Sequence, residues 1–234
     1  FISVSILNAF NPQIMKAEGA GDRNKMIVMS EYVSKYSFLL LAMVAIPLIA
    51  EMDTILQLWL GEVPEYSSIF CQLILIAALC DQLSVGLTSA NQAIGNIRNY
   101  TLIFYTLKLM VLIIGWVCLY FGMSVASILW CYVGIELFTS LLRLPLMKWI
   151  ADIPILPFCK HVFGRIIIPL IVMCSVCIIC VRYIQTPYRL VITIALSVVI
   201  GGISIWLTAI NKQEKEIIIQ SLNRFIPHNA KRHS

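Results

Sequence analysis

The chain has 234 residues, 60% of them hydrophobic and 12% charged, and a mean hydropathy of +0.89. Soluble domains carry roughly 25% charged residues, so this composition excludes one large soluble core and points to an all-α integral membrane protein. The formal charge of +5 is expected to collect in loops on one side of a membrane; no nucleic-acid partner is expected.

Phe1 to Phe10 reads as the end of a preceding transmembrane helix. No Met and no charged leader stand ahead of it, so a signal peptide is not expected and the chain reads as a piece of a longer protein. Asn11-Pro12 is expected to break the helix. Residues 11–35 would then be a cytoplasmic loop, Lys16 to Met26, and an interfacial helix, Met26 to Lys35. The next stretch organises the rest. It is apolar from Phe38 to Ala50, is interrupted by Glu51-Met-Asp53, and ends in Thr54-Ile-Leu-Gln-Leu-Trp-Leu-Gly61 before an acidic turn. Lys25 and Lys35 at one end and Trp59 near the other set its orientation, with the lysine end cytoplasmic. Two adjacent carboxylates are costly in hydrocarbon, so the span is read as ending near Asp53 with Thr54 to Leu60 a short interfacial helix. Glu51 and Asp53 are accordingly expected to be water-accessible at an outer vestibule.

Five further spans follow: Ser68 to Ala90, Tyr100 to Phe121, Val125 to Leu142, Ile166 to Tyr183 with Pro169 inside, and Tyr188 to Ile210. Asn91 to Asn99 reads as a short polar turn. Arg143 to Arg165 reads as a basic, proline-broken segment lying on the surface. Residues 36–210 thus form a six-helix transmembrane lobe. Residues 211–234 form a cytoplasmic amphipathic tail, with Ile217, Ile218, Leu222, Phe225 and Ile226 on one helical face. Alternating sides from the first span, the cytoplasmic segments hold fourteen of the seventeen lysines and arginines, the outer turns only Arg182 and Arg189, and Lys108 stays inside a span. The C-terminus is therefore expected to be cytoplasmic.

Three ionisable residues lie within spans: Asp81, Lys108 and Glu136. At helical rise they sit about 14, 12 and 9 Å from the nearest cytoplasmic end. A charge there costs at least ~2.5–3.5 kcal/mol on insertion scales, so each needs a partner or a wet cavity. They are candidate residues of a substrate pathway, with Lys108 meeting an anionic group and the carboxylates tuning it or taking a proton. The competing reading is a structural pair of Lys108 with Glu136 or Asp81. Asn91, Gln92, Asn96 and Asn99 are either the inner mouth of that path or ordinary turn residues. Cys174, Cys177 and Cys180 have a metal-like spacing, but no His or carboxylate stands near them in an apolar run, so no metal site is expected. No phosphate-binding loop, nucleophile motif or paired-carboxylate motif occurs; an enzyme is not expected, nor a cofactor beyond a coupling proton or sodium ion.

The segment Asn11-Pro-Gln-Ile-Met-Lys-Ala-Glu-Gly-Ala-Gly-Asp22, the pair Ser34-Lys35, Pro47-Leu-Ile-Ala-Glu51 and Ile55-Leu-Gln-Leu-Trp-Leu-Gly61 resemble the second half of a bacterial polysaccharide exporter. The chain is similar to Wzx-type flippases of lipid-linked oligosaccharides, in the multidrug/oligosaccharidyl-lipid/polysaccharide exporter superfamily. That resemblance implies about fourteen helices in two pseudo-symmetric lobes around a central cavity. It implies transport of undecaprenyl-diphosphate-linked sugars across the bacterial inner membrane for O-antigen or capsule. The present chain would be the C-terminal lobe, partnered by an N-terminal lobe, membrane lipid and the lipid-linked substrate. Such cavities are typically cationic, where Lys108 would fit by position. The alternatives are a cation-coupled multidrug antiporter of the same superfamily, or a membrane subunit or enzyme of envelope polysaccharide assembly.

Overall fold

The computed structural model describes residues 2–186, 188–211 and 214–215, with side chains from Ile6 onward. Among these residues every regular element is helical. Helix α1 (Ile2–Gly19) runs straight through Pro12, contrary to the break expected at Asn11-Pro12. The proline removes one N–H, but α1 lies against its neighbours with Ile14 and Ala17 buried, and packed membrane helices tolerate that loss. The expected loop shrinks to a turn at Ala20-Gly21-Asp22. The Asp22 carboxylate accepts the Lys25 backbone N–H at 3.1 Å and caps α2.

Helix α2 (Arg23–Ala50) absorbs the expected interfacial helix into its first turns. Those turns carry Ser30, Ser34 and Ser37, all fully buried, and small side chains let neighbouring backbones approach closely. Packing is what makes one continuous helix of a stretch whose polarity reads as interfacial. At 28 residues it spans about 42 Å, longer than the ~30 Å hydrocarbon core. It is the hub of the fold, touching α1, α4, α5, α9 and α10. Glu51 closes α2, and the short α3 (Met52–Leu60) follows with Leu58 and Trp59 exposed, in line with the shorter first span.

The expected second span is two helices, α4 (Ser67–Gln82) and α5 (Val85–Ile94), bent by 45°. Gly95, at φ +88, gives the left-handed turn that most side chains avoid and redirects the chain into α6 (Ile97–Tyr120). Helix α7 (Ala126–Ala151) continues through Pro145, well past the expected end at Leu142. Arg143 to Ala151 therefore continues the α7 helix instead of forming a separate proline-broken segment. The rest of that segment is mainly the short α8 (Ile155–His161), which leads into α9 (Phe163–Tyr183), continuous through Pro169. Helix α10 (Arg189–Ser204) ends in a π-helical turn, Ile205–Ala209. Five helical stretches are long and apolar enough to cross a membrane, or six if the bent α4–α5 pair is one span. Apart from Asn211, Glu214 and Lys215, the expected amphipathic tail lies outside the described residues.

Candidate functional site

The site forms where α4 breaks. Gly86 sits so close to α2 that its backbone N–H donates to the Ser34 hydroxyl at 3.0 Å. The contact lies just past the 45° bend between α4 and α5, and Asp81 stands at that break. Helix α7 packs along α4 and α6. It presents Glu136 and Arg143 two turns apart, so both fall on the same side of the helix. Helix α6 presents Phe104 and Lys108, one turn apart.

These side chains converge. Lys108 Nζ lies 2.9 Å from Glu136 Oε1 and 3.5 Å from Asp81 Oδ1. Arg143 Nη2 donates to the same Asp81 oxygen at 2.9 Å, and its Nη1 to the Ser84 hydroxyl at 3.1 Å. Ser84 in turn shares a hydrogen bond with Ser140, 2.8 Å away. The Arg143 guanidinium also lies over the Phe104 ring, 5.4 Å from its centroid, a favourable cation–π position. Glu136 is fully buried and Arg143 nearly so, whereas the Lys108 and Asp81 side chains are each 30% exposed. The Lys108–Glu136 contact is poorly aligned, because neither Glu136 oxygen has a well-directed hydrogen-bond donor among the described residues. Glu136 is thus a buried carboxylate held by charge attraction more than by hydrogen bonding.

With both carboxylates ionised the four groups sum to zero. Beside them opens a cleft of about 260 Å³ that reaches Thr88, Gln92, Tyr100 and Tyr105. Tyr100 and Thr88 share a hydrogen bond of 3.1 Å on its wall. Two cations there share one carboxylate, so an incoming anion can replace Asp81 on both without leaving either cation bare.

The structure therefore brings together Asp81, Lys108 and Glu136, as their common depth predicts, and adds Arg143. Lys108 is not the only cation inside a helix of the bundle. Arg143 passes for a loop residue because the chain beyond it is rich in prolines and cations. The signal available in the sequence is its seven-residue spacing from Glu136 within Leu141-Leu-Arg-Leu-Pro-Leu-Met147. Of the four amides near the turn, Gln92 lines the cleft, while buried Asn91 donates to the Asn96 carbonyl at 3.1 Å.

Glu51 and Asp53 are not a joint vestibule. Asp53 is exposed. Glu51 is 1% exposed, contrary to the expected water access. Its compensation comes from protein: Arg189 donates to Oε1 and Oε2 at 3.0 and 2.9 Å, and Thr193 and Thr54 donate at 3.1 and 2.9 Å. At the other end of α2, Lys35 is also no flanking charge. It is 2% exposed and donates to both oxygens of Glu214, at 2.6 and 2.8 Å. Among the described residues no three His, Cys, Asp or Glu side chains are placed to hold a metal ion, the three-cysteine run included. Comparisons with protein-family models, with curated proteins and with solved structures each find no match.

Proposed function

We propose that this chain is one lobe of an alternating-access transporter that flips a lipid-linked oligosaccharide, with its diphosphate passing the Lys108–Arg143 pair. The observation that carries this reading is that two cations share a single, partly exposed carboxylate at a broken helix. Broken helices inside a bundle are where transporters place polar sites. An anion entering the cleft takes the place of Asp81. The displaced Asp81 then holds a proton or a sodium ion, which couples flipping to an ion gradient. The prenyl chain stays in lipid, and the second lobe closes the cavity from the far side. In this reading the protein is a multi-pass component of the bacterial inner membrane and serves surface-polysaccharide assembly.

Lys108 also compensates Glu136, so the test must separate transport from folding. Lys108→Ala strands the Glu136 carboxylate and is expected to lower abundance. Lys108→Ala with Glu136→Gln removes both charges and is expected to restore abundance. Surface polymer should still fall at least about tenfold in that double variant, equivalent to ~1.4 kcal/mol of lost anion stabilisation. Lipid-linked precursor should accumulate on the cytoplasmic leaflet. Lys108→Arg should retain part of the export. Full export by the abundant double variant would reduce the cluster to a packing device and overturn the proposal.

A further inference from the structure

A second charged cluster plays no part in this transport reading. At the start of α2, a cleft of about 290 Å³ is lined by Glu31, Tyr32, Lys35, His161, Arg165 and Glu214. Its two carboxylates are already occupied: Glu214 by Lys35, and Glu31 by His161 Nδ1 at 3.0 Å. Arg165 is different. Among the described residues its one hydrogen bond goes to the Ala209 carbonyl, at 3.3 Å through Nη1. That leaves most of its fork of donors directed at no acceptor among the described residues. His161 is half exposed, and its other ring nitrogen has no partner among the described residues. Lys35 and Arg165 match Glu31 and Glu214 in number, but both carboxylates are held by other partners, so Arg165 is the cleft's cation with no carboxylate in salt-bridge reach among the described residues.

A groove of about 370 Å³ adjoins this cleft, lined by Ile6, Phe10, Tyr36, Leu39, Met43 and Ile205 among others. The two spaces follow one another along α2. Val28, Glu31, Tyr32 and Lys35 line the cleft, and Tyr36, Leu39, Leu40 and Met43 carry the same i, i+3, i+4 stripe into the groove. The far wall repeats the order, with Gly202, Ile205 and Ile210 along the groove and Asn211 and Glu214 at the cleft. From Val28 to Met43 the stripe is about 22 Å long at helical rise. One bilayer leaflet with its headgroups is about 20–22 Å thick.

We propose that cleft and groove together hold one anionic phospholipid of the leaflet in which α2 begins. Its phosphate sits on Arg165 and the outward nitrogen of His161, and one acyl chain lies along Leu39, Leu40 and Met43. Charge and shape choose this occupant. A peptide in the groove would bury backbone polar groups among side chains that offer nothing to bond them, whereas an acyl chain has none to lose. A small free anion satisfies Arg165 but leaves the apolar half of the channel unfilled. Basic recesses between membrane helices at the headgroup level are known lipid-recognition features.

The test uses the full chain purified in detergent, with unfolding temperature read while phosphatidylglycerol, phosphatidylcholine or inorganic phosphate is titrated in. Phosphatidylglycerol is expected to raise it, and the other two to leave it near its starting value. Arg165→Gln keeps a donor for the Ala209 carbonyl and should weaken the phosphatidylglycerol response about tenfold; Arg165→Lys should keep most of it. Gly202→Leu tests the chain half independently. A Cβ there meets only Met43 Cε, 3.8 Å away, so a side chain can start into the groove without a backbone clash; with an unfolding temperature near wild type in the absence of lipid, the variant should show a reduced response to phosphatidylglycerol. Equal stabilisation by inorganic phosphate would make this a free-anion site, and equal stabilisation by phosphatidylcholine would remove the headgroup selectivity. Either result, or a wild-type response in Arg165→Gln or Gly202→Leu, overturns the proposal.

Discussion

Gly86→Ala is expected to prevent the protein from accumulating in folded form. A Cβ at this position would lie 1.9 Å from the Ser30 carbonyl oxygen and 2.8 Å from the Ser34 hydroxyl. The nearest atom is backbone, so no rotamer change relieves the clash. Helices α2 and α5 would have to move apart, breaking the Gly86 N–H to Ser34 bond and opening the seam beside Asp81. Overpacking usually costs ~1–3 kcal/mol, and a backbone collision in the hub of the fold should exceed the upper figure. Against a total stability of ~5–15 kcal/mol this is a large fraction. Gly134→Ala is the control, since a Cβ there meets nothing within 4 Å. Measured by abundance and by thermal unfolding in detergent, the first should fail and the second should match or slightly exceed wild type. A Gly86→Ala protein that unfolds at the wild-type temperature would show that the two helices are not this close.

The second large effect is an asymmetry between the partners of the Glu51–Arg189 pair. The Glu51 side chain is 0% exposed, whereas that of Arg189 is 31% exposed. Arg189→Met strands a buried carboxylate with only the Thr54 and Thr193 hydroxyls for compensation, and should cost about 3–5 kcal/mol. Glu51→Gln leaves Arg189 able to turn toward water or headgroups and keeps an amide among the same hydroxyls, so about 1–2 kcal/mol is expected. Combining Glu51→Leu with Arg189→Leu removes both charges and should recover much of the loss, because an apolar pair carries no desolvation penalty. Thermal unfolding of the three variants checks the order. If Glu51→Gln proves more damaging than Arg189→Met, the carboxylate is not the buried member of the pair.

The differences between sequence and fold share one physical origin. Sequence neighbours place Arg143 in a basic connection, Lys35 on a flank and Glu51 at a wet rim. In the fold each is compensated from another helix: Arg143 by Asp81 on α4, Glu51 by Arg189 on α10, and Lys35 by Glu214 beyond the π-helical turn. Whether a charge in an apolar run is solvated or paired depends on which helix lies alongside, and hydropathy holds no information about that. Proline misleads in the same way at Pro12 and Pro145. Alone it breaks a helix, but lateral packing restores continuity.

What this sequence determines by itself is what depends on a single segment and its solvent. Apolar runs long enough to cross hydrocarbon must satisfy their own backbone, so helices follow from composition and length alone. The depth of Asp81, Lys108 and Glu136 follows from counting residues along those helices, and their common depth already makes a meeting possible. The tertiary structure decides who meets whom. Gly86 lets α5 lie close against α2 after the 45° bend, Asp81 at that bend lies between Lys108 and Arg143, and α7 continues past Leu142 to carry that arginine. Each of those steps turns on side-to-side distances between helices, which no local stretch of the chain encodes.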